Sequence, residues 1–228
     1  MTLATKLEIS PYVAISTNNN ILLGFGSEQV VKNLMYCKKA GLNFLVTGDA
    51  SAKVRLDFLK RLVSIDHGKR TLYVEGENRE LDKYEIEEIV KYKPDVVLYK
   101  ELYGRDIYSI MTVPMLGYQL LTTITASNEL GALYRIKAHC INKNKGFSIK
   151  VINECFDLIV SINKDRFNGG YKIHSISTPD IKGVDDINVK EIVKFDLETR
   201  KWVKRENDSE LKEKVLNRTG IRMLDWGR

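Results

Sequence analysis

The chain has 228 residues, 43% hydrophobic and 29% charged. That length holds one large domain or two small ones. The composition excludes wholesale disorder, collagen-like repeats and low-complexity arrays. A formal net charge of +6 permits a nucleic-acid, nucleotide or acidic-membrane partner without demanding one, and residues 190–228 carry half of that excess.

The N-terminal stretch MTLATKLEIS has no basic start followed by an apolar run, so no secretory signal is read there. LNFLVT at 42–47 is a short apolar run rich in strand formers. From Ala52 to Ile65, Val54, Leu56, Phe58, Leu59, Leu62, Val63 and Ile65 recur at helical spacing. TLYVE at 71–75 reads as a second strand and residues 82–91 as a second helix. DVVLY at 95–99 is a buried strand introduced by Pro94, which disfavours helix just before it. Residues 105–113 read as helix, 118–125 as strand and 128–137 as helix.

Continuously apolar strands separated by helices imply a parallel sheet covered on both faces. The pattern then changes. CFDLIVSI at 155–162 and YKIHSIS at 171–177 flank a turn containing Asn168, Gly169 and Gly170, a hairpin signal that predicts an antiparallel C-terminal extension. EIVKFDL at 191–197 adds a strand, and residues 208–218 form a polar helix that stops near Gly220. With no internal repeat and no linker, the expectation is a lead-in segment at 1–40 followed by a single domain at 41–228.

Cys37, Cys140 and Cys155 are an odd number with no CxxC spacing, and His67, His139 and His174 lie far apart. Neither a disulfide framework nor a metal site is expected, and a reducing, cytoplasmic setting fits. The apolar runs fall well short of the roughly 20 residues of a membrane span.

Ligands of open parallel sheets bind at the carboxyl ends of strands, which directs attention to the loops after Thr47, Glu75, Tyr99 and Ile124. The first reads Thr47-Gly48-Asp49-Ala50-Ser51-Ala52-Lys53-Val54. A phosphate-binding loop needs glycines that turn successive amides inward, a lysine for the β/γ-phosphates and a hydroxyl for magnesium. Lys53 stands at the lysine position, but Thr47 and Ala52 replace the glycines and Val54 the hydroxyl. Alone, the stretch fails GxxxxGK[ST], and Lys53 then reads more readily as a lysine on the first turn of a surface helix.

Five segments in order extend the pattern over residues 28–176. SEQVVKNLMYCKKAGLNFLVTGDASAKV resembles the helix, strand and phosphate loop of the secretion-ATPase superfamily, the motors of type II and type IV secretion, conjugation and type IV/Tad pili. YVEGENREL resembles its acidic box, IEDxxEL. KPDVVLYKELYG is similar to the Walker B region, RPDxIxxGExRG. GYQLLTTITASNELGALYRI resembles the GHxxxxTxHxN stretch, and FDLIVSINKDRFNGGYKIHSIS its closing hairpin. The resemblance implies an α/β, RecA-like P-loop NTPase fold with a mostly parallel sheet flanked by helices.

It also implies roles. Gly48, Asp49, Ala50, Ser51, Ala52, Lys53 and Val54 match the nucleotide-binding loop. Glu101 matches the glutamate that orients the attacking water, and Glu75 the acidic-box glutamate near the γ-phosphate. Two structural readings stand beside these: Glu101 as a strand-end carboxylate capping the helix near Arg105, and Glu75 paired with a lysine. The departures are many. Gly76 replaces the box aspartate, with Glu77 beside it. Lys100 replaces a glycine, Tyr103 an arginine, and Tyr118 and Thr125 both histidines. Phosphoryl transfer rests on positioning and charge stabilisation, and each lost group removes several kcal/mol of the latter.

The family also carries an N-terminal domain, for which the residues before Thr47 are too few. The resulting expectation is a degenerate secretion or pilus ATPase-like subunit, with ATP/Mg binding weak or absent. Its partners are apparatus proteins, including an active ATPase homologue, and it meets the inner face of the membrane only through them. One alternative is a divergent active ATPase relying on Lys53, Glu75 and Glu101. Another is a nucleic-acid module using Arg200, Lys201, Trp202, Lys204 and Arg205, against which stands a solvated edge strand with Trp202 covering the core.

Overall fold

A computed structural model describes residues 8–9, 22, 24–65, 69–75, 83–144, 148–166, 169–184 and 186–226. The acidic-box residues Gly76 and Glu77, the turn residue Asn168, and His67 lie outside the described residues.

The strands are β1 (Glu8–Ile9), β2 (Phe44–Thr47), β3 (Thr71–Val74), β4 (Val96–Tyr99), β5 (Gln119–Thr123), β6 (Leu158–Lys164), β7 (Tyr171–Ile181), β8 (Ile187–Asp196) and β9 (Lys201–Lys204). The helices are α1 (Glu28–Lys39), α2 (Ala52–Ser64), α3 (Lys83–Tyr92), α4 (Asp106–Ile110), α5 (Thr112–Met115), α6 (Glu129–Lys143), α7 (Val151–Cys155) and α8 (Ser209–Thr219). The described strands form one sheet in the order β1-β3-β4-β5-β2-β6-β7-β8-β9. From β3 to β6 every pairing is parallel; β1 at one edge and β7 to β9 at the other run antiparallel. This is the RecA-like arrangement, with the strand before the expected phosphate loop (β2) flanked by β5 and β6 rather than by the strand that follows it in sequence.

Each face of the sheet has its own apolar layer. Val30, Val31 and Leu34 of α1, Phe58, Leu59 and Leu62 of α2, and Leu211 and Val215 of α8 pack on one face against Phe44, Val46, Leu121 and Val160. On the other face, Ile89 of α3, Ile107 and Ile110 of α4, Val113 of α5, and Leu133 and Ile136 of α6 meet Leu45, Val97, Leu120 and Ile159. Burial on both sides is why β2 and β4 read as unbroken apolar runs. Side-chain caps fix the helix starts: Ser27, Ser51 and Asn128 accept from the amides of Val30, Val54 and Gly131. Gly220, at φ +71°, ends α8 in the left-handed conformation that glycine allows.

Several boundaries differ from the sequence reading, and α6 runs six residues past the expected 137. The helix expected at 105–113 is two short pieces meeting at Met111, because Pro114 has no amide to bond back across the junction. Cys155, read as the start of a strand, instead ends α7; the strand begins at Leu158, after the Asp157 carboxylate accepts the Asn43 amide at 2.9 Å. Strands β7 and β8 are longer than expected and meet in a shorter connection. The basic segment at 200–205 contains the edge strand β9. There Trp202 is half-buried, packs against the core and meets Phe195 edge-on at 5.4 Å.

Candidate functional site

Parallel register brings five loops to one end of the sheet. Thr47 ends β2, Glu75 follows β3, Glu101 lies just past β4, Thr123 and Thr125 close β5, and Asn163 lies at the end of β6. The expected phosphate loop thus occupies the position between strand and helix that a nucleotide loop would have.

Its first three amides, however, face the protein. Gly48 N donates to Ala126 O at 3.1 Å, Asp49 N to Asn163 Oδ1 at 3.0 Å, and Ala50 N to Ile162 O at 3.0 Å. The Asp49 carboxylate returns the contact, accepting from Lys164 N at 2.7 Å. Thr47 Oγ1 donates to Ala126 O at 3.1 Å. Ser51 Oγ accepts from Val54 N, so the loop's hydroxyl caps α2. Gly48 adopts φ +108°, and a Cβ there would stand 2.3 Å from Ile162 O. The loop is folded down onto the end of β6, and glycine is required for that close approach.

Beneath the loop lies a residue that the sequence reading did not single out. Arg55 is 2% exposed, and its Nη2 lies 3.0 Å from Oε1 of Glu101, itself 1% exposed. The same Nη2 is 3.3 Å from Oε2 and donates to Thr125 Oγ1 at 2.6 Å. Nη1 donates to Gly48 O at 3.2 Å and to Ala50 O. Thr125 Oγ1 passes a hydrogen bond to Glu101 Oε1 at 2.7 Å, and the Thr123 hydroxyl lies against Oε2. Desolvating either charge costs several kcal/mol, which the close partner and these hydrogen bonds offset, although Arg55 Nε is buried without a partner among the described residues. A signal existed. Arg55 stands one turn before Phe58 and Leu59 on the buried stripe of α2, and a cation on such a stripe needs a buried anion.

Glu75 is placed differently. Its Oε1 lies 3.1 Å from Lys100 Nζ and accepts from Tyr73 OH at 3.4 Å, with the two charged side chains 41% and 42% exposed. Lys100, which replaces a glycine in the resemblance, therefore pairs with the acidic-box glutamate. The carboxylate that engages the backbone just before α4 is Asp106, which accepts from Tyr103 N at 2.8 Å and from Tyr99 OH; the capping role considered for Glu101 is absent, since no side chain caps the start of α4. Lys53 projects into solvent from the first turn of α2. Near the loop, the imidazole of His174 is held below its ordinary range. Burial is the main cause and the Lys194 charge the next, opposed by Glu129, Glu191 and Asp49.

A magnesium nucleotide requires free loop amides and a hydroxyl for the metal. The amides of residues 48–50 already have protein acceptors, Val54 offers no hydroxyl, and Glu101 is neutralised by Arg55. These residues do not fit a bound Mg²⁺-nucleotide in the arrangement described. No cluster of three metal-ligating side chains occurs among the described residues.

No family model matches the sequence, and no curated protein matches it. Solved structures do. The VirB11 ATPase of the Brucella suis type IV secretion system, determined with sulphate, is 13% identical with a TM-score of 0.52, over 64% of this chain and 50% of that one. Over that span the two chains share a fold. The Legionella pneumophila ATPase DotB aligns at 11% identity and TM-score 0.43, over 74% of this chain and 50% of its own. A KaiC-like protein from Pyrococcus horikoshii aligns at 10% identity and TM-score 0.32, over 73% and 90%. The match spans about half the length of VirB11 and of DotB. Among the described residues no helix is long and apolar enough to cross a membrane.

Proposed function

We propose that this chain is a degenerate secretion-ATPase-like subunit, weak or inactive in ATP hydrolysis. It serves as a structural or regulatory component of a secretion, conjugation or pilus apparatus, with residues 41–228 as one RecA-like domain. The observation that carries this reading is the inward engagement of three successive loop amides, at Gly48, Asp49 and Ala50. A phosphate cradle works because those amides are free to point at the ligand. The VirB11-like fold supports apparatus proteins as partners, an active ATPase homologue among them, with cytoplasmic placement at the membrane through those partners.

One observation favours the divergent ATPase instead: Lys53 stands exposed at the lysine position of the loop. Titration with fluorescent ATP, with and without Mg²⁺, separates the two. The proposal expects no saturable binding up to millimolar nucleotide. Micromolar, Mg²⁺-dependent binding abolished by Lys53→Ala would overturn it.

A further inference from the structure

We infer that Arg55 is an internal ligand: its guanidinium occupies a built cation seat, and the loop stays closed only while the seat is filled. The inference rests on the reading of this site as closed to nucleotide, and concerns what keeps it closed. The seat consists of acceptors from three elements. Gly48 O and Ala50 O come from the loop, both Glu101 oxygens from the end of β4, and Thr125 Oγ1 from beyond β5. The Thr125 and Thr123 hydroxyls complete the seat by donating to Glu101 Oε1 and Oε2. A planar fork with several fixed N–H directions serves carbonyl and carboxylate together, which a point-charge ammonium cannot do.

The geometry ties two events to one contact. Turning the loop amides outward requires rotating the peptide planes of residues 48–50, and the carbonyls of Gly48 and Ala50 belong to that short segment. Those carbonyls hold Arg55, and Arg55 holds Glu101. Opening the loop therefore means withdrawing the guanidinium from Glu101, leaving a buried carboxylate without its counter-charge. The contact is autoinhibitory in the structural sense: a side chain of this chain fills the space between loop and strand end that a bound cation and its ligand would need.

The test is native-state amide exchange on Arg55→Ala, with and without millimolar methylguanidinium. The amides of residues 48–50 should exchange about tenfold faster or more than in the unmodified protein, while those of β7 and β8 keep their rates. Methylguanidinium should restore slow exchange; sodium chloride at the same concentration should not. Unchanged loop exchange in the variant, or equal responses to methylguanidinium and salt, would overturn the inference. Should Arg55→Ala not yield folded protein, Arg55→Lys carries the test. It keeps the charge but not the fork, so the loop amides should still speed up at least about threefold, and unchanged exchange counts against the seat. The ATP titration on the unmodified protein reports the closed-site reading separately, so either idea can fail without the other.

Discussion

The Arg55 guanidinium and the Glu101 carboxylate form an ion pair 3.0 Å apart with both side chains almost wholly out of solvent. Such a pair is held as a unit. Removing one partner strands a buried charge and costs about 3–5 kcal/mol, whereas replacing both with apolar groups of similar volume is often close to neutral. Glu101→Ala should therefore lower unfolding stability by about that amount in urea titration, and Arg55→Met combined with Glu101→Leu should recover most of it. Equal losses in the single and double variants would show that the pair is not coupled.

The exposed pair between Glu75 and Lys100 offers a contrast at similar separation, 3.1 Å. With about 40% of each side chain in water, solvent screening leaves such a pair worth about 0–1 kcal/mol. Lys100→Ala should shift the urea midpoint only slightly, and less still in high salt. A loss as large as that of Glu101→Ala would mean that Glu75 is bound into the site more firmly than its exposure implies.

Much of this arrangement was readable before any coordinates. The apolar run at 42–47 followed by a helical period located the loop, because a parallel strand buried on both faces leaves a pattern that few other elements share. Trp202 within a basic, alternating stretch similarly marked an edge strand. Arg55 lies outside both signals: the loop motif ends at Val54, one residue short, and a buried cation does not enter the apolar period of α2. The short helix α7 leaves no sequence signal for another reason: five residues are too few to display a helical period, and Cys155 packs equally well at the end of a helix or in a strand. The break at Met111 depended on Pro114, whose effect falls on a hydrogen bond rather than on composition.

The cysteines make a prediction about alkaline pH. Burial pushes the thiols of Cys140 and Cys155 up from an ordinary 9.0 to about 12, and that of Cys37 upward as well. In the unfolded chain these thiols ionise near their ordinary value while the folded chain keeps its protons. Their contribution to stability is therefore complete below about pH 9 and is lost progressively as pH rises toward 12. Urea midpoints measured from pH 7 to 10.5 should fall at the upper end, and Cys140→Ala should flatten that fall relative to its own value at pH 7. Alkylation at pH 7.5 should be slow in the native protein and rapid in denaturant, since the thiolate is the reactive form.

Gly48 and Gly41 separate two reasons for needing glycine. Both have positive φ, +108° and +73°, but a Cβ at Gly41 would meet nothing within 4 Å, whereas at Gly48 it would strike the Ile162 carbonyl at 2.3 Å. Gly41→Ala carries only the left-handed backbone penalty, about 1–2 kcal/mol. Gly48→Ala adds a clash with backbone that cannot move without parting the loop from β6. Its loss in urea titration should exceed that of Gly41→Ala by at least about 1 kcal/mol. The amides of Asp49 and Ala50 should also lose exchange protection in Gly48→Ala, since their acceptors Asn163 Oδ1 and Ile162 O lie in the segment that the new methyl would push away. Equal losses in the two variants would mean that the loop can stand off from β6 at little cost, removing the physical basis for a closed site.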